Sequence, residues 1–92
     1  MTEIVRTENV LSGDPRIKGT RVGVVHVHEL VVEGGCSPAD TADQLGLSLA
    51  EVYTALAYYH ENPETVREVR RRHTEAEERL AEDALEPPRA QQ

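Results

Sequence analysis

The sequence predicts a mostly α-helical domain with a small N-terminal β region, a trihelical core and a charged C-terminal helix. Three observations carry this reading. Two complete helix starts, Ser37-Pro38-Ala39-Asp40 and Ser48-Leu49-Ala50-Glu51, stand on either side of Gly46. At Val24 the apolar residues take up helical spacing, with Val24, Val27, Leu30 and Val31 at i, i+3, i+6 and i+7. From Pro63 the chain turns charge-dense, with arginines and acids interleaved three and four residues apart.

Before Val24, short strands are expected at Ile4 to Arg6, Val10 to Leu11 and Arg16 to Val22, divided by the turn residues Ser12-Gly13-Asp14-Pro15. So small a sheet is marginal alone and needs helices or a second chain to cover it. The helix from Val24 can terminate at Gly34-Gly35 in a left-handed turn. The run VVHVH also alternates, so a strand continuing to His28 is the competing reading.

Ser37 is an N-cap, Pro38 occupies the first helical position where a missing N–H costs nothing, and Asp40 lies beside the positive end of the helix dipole. This helix is expected to stop at Gly46. Ser48 and Glu51 form a Ser-x-x-Glu capping box opening a helix with Leu49, Val52, Leu56 and Tyr59 on one side and its end near Asn62. A third helical run extends from Pro63 to about Asp83, its sparse apolar positions being Val66, Val69, Ala76 and Leu80. The closing LEPPRAQQ has the composition of disordered chain. Residues 1–62 thus hold the strands and the trihelical core, and residues 63–92 a charged helical tail.

Ninety-two residues support one core of marginal stability. With three Tyr, no Phe and no Trp, that core is built from Val, Leu, Ile and Ala, and dimerisation would add burial. A single cysteine, Cys36, excludes an intrachain disulfide and fits a reducing compartment. No apolar run approaches the roughly 18 residues of a membrane span, and no signal-peptide core appears at the N-terminus, so a cytoplasmic location is expected.

A net charge of −7 argues against non-specific binding to DNA or anionic membranes, whose affinity comes mainly from Lys and Arg. The charge is unevenly spread. Arg6, Arg16, Lys18 and Arg21 outnumber Glu3, Glu8 and Asp14 before Val24, whereas residues 24–62 carry acids and no Lys or Arg.

Ala42, Gly46 and Val52 stand in the Ala-x3-Gly-x5-Val arrangement of a helix-turn-helix. A small residue allows close crossing, Gly the tight turn, and a branched residue locks the second helix. The alternative is a helical pair that serves packing alone. The residues expected to face outward on the second helix, Ser48, Glu51, Thr54, Ala55, Tyr58 and Glu61, include none of the Arg, Lys, Asn or Gln that usually read base edges. Ser48, Thr54 and Tyr58 remain able to contact phosphate or bases.

His26, His28, Cys36, His60 and His73 lack the spacing of a metal motif, and side chains two apart on a helix diverge by about 200°. Solvated or half-buried histidines are the expectation, with no metal and no cofactor. No phosphate loop or nucleophile elbow is present, and Cys36 reads as a packing residue, so no enzymatic role is expected. In the tail, pairs such as Glu64 with Arg67 or Glu68 with Arg72 would stabilise a solvated helix by a few tenths of a kcal/mol each. The competing expectation is a segment that orders on a partner protein.

From Asp14 to Glu64 the chain resembles the family named domain of unknown function 433. The resemblance rests on Gly19-Thr20-Arg21 before an apolar helix, Gly35-x-Ser37-Pro38, and Val52-Tyr53-x-Ala55-Leu56-x-Tyr58-Tyr59. It implies a DNA-binding antitoxin of a type II toxin-antitoxin pair, with a helix-turn-helix-like core, that neutralises a PIN-type ribonuclease toxin and represses its own operon. A protein-interaction module without DNA binding is the alternative.

On the residues themselves, Gly19 is expected to permit the bend, Thr20 to cap locally, and Arg21 to pair with a carboxylate such as Asp14 or one from another subunit. Arg16 and Lys18, alternating on one strand face, are expected to meet the DNA backbone alongside Ser48, Thr54 and Tyr58. A homodimer through the N-terminal strands would place two second helices in successive major grooves about 34 Å apart. The toxin is expected to be gripped by Val66, Arg67, Val69, Arg70, Ala76 and Leu80.

Overall fold

The computed structural model describes residues 2–85. Strands β1 (Ile4–Val5) and β2 (Arg16–Ile17) pair antiparallel, Ile4 opposite Ile17 and Val5 opposite Arg16. The expected strand at Val10 to Leu11 is instead the start of a single tight turn over Leu11–Gly13. Leu11, Ser12 and Gly13 all have positive φ, at 51°, 55° and 83°, a conformation that cannot join a ladder.

The strand expected to run to Val22 stops at Ile17, because Gly19 at φ 82° turns the chain and Arg16 meets Gly23 in a lone bridge. Thr20 stabilises that turn as anticipated: its Oγ1 donates to the Ile17 carbonyl at 2.8 Å and accepts from Val22 N at 3.0 Å.

Helix α1 (Val24–His28) takes VVHVH as helix rather than strand. It runs on through a wide turn at Glu29–Glu33, in which Gly34 N bonds the Glu29 carbonyl at 2.7 Å, before Gly35 reverses the chain at φ 71°. Helix α2 (Pro38–Leu45) begins with Ser37 Oγ accepting from Asp40 N, and Gly46 at φ 69° ends it. Helix α3 (Leu49–Glu61) carries the full capping box, with Ser48 Oγ accepting from Glu51 N at 3.1 Å and Glu51 Oε1 accepting from Ser48 N at 2.8 Å. Asn62 then breaks the chain before helix α4 (Pro63–Leu85). The segment expected to be disordered lies, apart from Leu85, outside the described residues.

One core joins strand and helices: Ile17, Val24, Val27, Ala42, Val52 and Ala55 are buried together, with Ile4, Leu45, Leu47 and Leu56 packed around them. Two faces of α3 therefore differ from expectation. Ala55, expected outside, is fully buried, and Leu49, expected inside, is 45% exposed, because α1 rather than the sheet packs along the centre of α3. A second cluster docks α4: Val66 and Val69 are buried against Val25 and Tyr59. Among the described residues no helix is long and apolar enough to cross a membrane.

Candidate functional site

The N-terminal end of α3 and the β2 turn enclose a concavity of about 810 Å³, lined among others by Glu3, Lys18, Ser48, Glu51 and Thr54. Three of the five residues expected at DNA thus share one surface. Lys18 Nζ is 3.5 Å from Glu3 Oε2, with both side chains largely in solvent. Ser48 is committed to its cap, yet its oxygen lies on the exposed end of the helix.

Arg16 is not part of this surface. Its guanidinium folds back over the β2 turn, donating from Nη1 to the Thr20 carbonyl at 2.9 Å and from Nη2 to Thr7 Oγ1 at 3.0 Å, while Nε is buried without a partner. It is a structural residue, because β2 ends one residue later and the turn carbonyl falls within its reach. Tyr58 is half-buried against the main core rather than turned outward.

Arg21 shows the reverse. The expected pair with Asp14 is not formed: Asp14, 8% exposed, accepts instead from Arg72 Nη2 at 2.9 Å and lies 2.7 Å from His73 Nε2. Arg72 Nη1 also reaches the Ser12 carbonyl and Arg6 Nε the Gly13 carbonyl, so arginines tie down the left-handed loop from both sides. Arg21 remains exposed.

The expected toxin surface on α4 is divided. Val66 and Val69 are spent on the protein's own core. Arg70 is also engaged, donating from Nε to Tyr59 Oη at 2.9 Å and from Nη2 to Glu33, with its guanidinium 5.6 Å from the Tyr59 ring centroid. Glu33 and Tyr59 raise its pKa above the usual arginine value. Arg67, Ala76 and Leu80 stay exposed, Leu80 at 69%. Of the ion pairs expected along this helix, Glu68 with Arg72 is present at 3.8 Å, and Arg71 bridges Glu68 and Glu75 at 2.6 and 2.8 Å.

His26 and His28 point apart. His26 is exposed near Glu29, whereas His28 is buried and lies flat on Tyr59. Cys36 is half-buried, its Sγ 3.9 Å from Gln44 Nε2.

Two features left little signal in the sequence: the Asp14 clasp and the stack of His28, Tyr59 and Arg70. Their partners lie 58 and 59 residues apart in the first and 42 and 11 in the second, and always on different elements, so no period along one helix or strand links them. The one hint was the density of cations from Arg70 to His73 on a helix otherwise short of apolar residues.

Compared with known proteins, residues 4–59 match the model of the family described as Protein of unknown function (DUF433). No curated protein and no solved structure matches the chain.

Proposed function

The chain belongs to the DUF433 family, and we propose that it is a DNA-binding antitoxin of a type II toxin-antitoxin pair that represses its own operon. The observation that carries the reading is the α2–α3 pair. Gly46 in the left-handed conformation joins two independently capped helices, and Lys18, Ser48 and Thr54 share the surface at the start of the second. In a helix-turn-helix it is the N-terminal end of the second helix that meets the base edges. The dipole of α3 favours a phosphate there. A homodimer through the N-terminal strands would supply the paired half-sites.

The toxin, of the PIN ribonuclease type, is assigned to the exposed part of α4 around Arg67, Ala76 and Leu80. Ala76 and Leu80 lie four apart on one helical face, so they form a short apolar strip that a hydrophobic groove can accept.

A gel shift with DNA from upstream of its own gene, over a range of salt, tests the DNA role. A sequence-selective shift is expected, and Lys18→Gln should lower the slope of log K against log salt by about 0.9 per protomer. One observation favours a second reading, a protein-interaction module: Glu3 and Glu51 line the same concavity and oppose phosphate. Loss of any selective shift, with the neighbouring gene product present, leaves that reading alone.

A further inference from the structure

A second cleft, sharing no lining residue with the concavity at α3, lies between the Leu11 to Pro15 loop, the segment from Arg21 to His26 and the middle of α4. It encloses about 580 Å³, within the range of roughly 300–1,000 Å³ found for small-molecule sites. Leu11, Pro15, Val25 and Ala76 give it an apolar floor.

Its charge is unusual for a chain of net −7. Arg21, Arg72 and Arg79 line it against two acids, Asp14 and Glu75, with His26 and His73 beside them. Both acids are already engaged. Asp14 holds Arg72 and His73, and Glu75 is bound by Arg71 from outside the cleft. Among the described residues the side chains of Arg21 and Arg79 take part in no hydrogen bond or ion pair, so two guanidinium forks stand free beside an apolar surface. That is the donor set for an oxyanion carried on an apolar body.

We propose that this cleft binds a small organic anion, a carboxylate or phosphate joined to an apolar group, with Arg21 and Arg79 gripping the oxyanion. Pro15, Val25 and Ala76 cover the apolar part. The Asp14 clasp fixes the wall between loop and helix, so the site exists before the ligand arrives. The segment Gly19-Thr20-Arg21 thereby divides its work: the glycine and threonine shape the turn, and the arginine is held out for the ligand.

The test is an NMR titration of the full chain, following the arginine Nε–H resonances at constant ionic strength. The probes are phenyl phosphate, phenylacetate and inorganic phosphate. Saturable shifts at Arg21 and Arg79 are expected with at least one organic anion, bound about tenfold or more tighter than inorganic phosphate because the ring is buried. The stronger of the two organic probes identifies the head group.

Arg21→Gln and Arg79→Gln should each weaken binding about tenfold with the helical circular dichroism retained. Glu75→Gln removes a rim carboxylate and should tighten binding, a gain that a misfolded variant does not produce. Absence of saturable shifts at both arginines with both organic probes overturns the proposal, as does undiminished binding in the two glutamine variants. The measurement needs neither DNA nor toxin, so it stands or falls separately from the antitoxin reading.

Discussion

The His28 imidazole lies on the Tyr59 ring with centroids 3.5 Å apart and planes within 2° of parallel, and the His60 ring meets it edge-on at 5.7 Å. Burial is the main force on its titration. Together with the charges of Arg70 and His60 it holds the His28 pKa below the ordinary 6.5, against the opposing pull of Glu33 and Glu29. The unfolded chain therefore takes up this proton at a higher pH than the folded one. The stability tied to neutral His28 is fully present above about pH 6.5, declines as pH falls below it, and levels once the folded form also protonates. His28→Phe keeps a ring over Tyr59 and cannot charge. Thermal melts between about pH 7.5 and 5 should show the wild type losing stability relative to that variant. A constant difference across the window would rule the titration out.

Among the elements, the corner between α2 and α3 is held by backbone conformation and not by crowding. A Cβ at Gly46 would meet nothing within 4 Å, but φ is 69°. Gly46→Ala should therefore cost about 1 kcal/mol in urea unfolding, and Gly46→Asn less, since Asn tolerates the left-handed region. Gly34 presents the opposite case: its φ is ordinary, yet a Cβ there would lie 2.9 Å from the Leu30 carbonyl oxygen at the close of the wide turn after α1. Gly34→Ala should cost more than Gly46→Ala. The reverse order would mean that the α1 turn relaxes where the α2–α3 corner does not.

Among the described residues the molecule is not a core with a loosely attached last helix. Helix α4, 23 residues and about 35 Å long by its rise per residue, is fastened over its first half by Val66, Val69, Arg70, Arg72 and His73. Residues 74–84 are exposed throughout. The two halves should respond differently to change. Val69→Ala, emptying a fully buried site, should cost about 2 kcal/mol. A chain ending at Glu77 should unfold within about 1 kcal/mol of the full protein. A large loss on that truncation would show that the projecting half is needed for the fold and is not a surface kept for a partner.

Much of this architecture was legible because its signals act over four residues or fewer. Ser37, Pro38, Ser48 and Glu51 bond or spare the backbone of their own first turn, and Gly46 and Gly19 supply conformations that other residues disfavour. The boundaries of α2 and α3 therefore followed from spelling alone, and so did the local role of Thr20. Contacts that depend on where distant segments meet did not. Ala55 turned inward and Leu49 outward because α1 crosses α3 as it does, and the Leu11 turn replaced a strand.

Arg16 and Arg21 exchanged the expected roles for the same reason. The β2 turn brings a carbonyl to Arg16, while Arg72 and His73, more than fifty residues downstream, reach Asp14 before Arg21 can. The sequence by itself determined the starts of α2, α3 and α4 and the caps of α2 and α3. Tertiary structure alone decided which charges are spent and which stand free, since an ion pair is settled by proximity in space, and proximity between α4 and the N-terminal loop has no period along the chain.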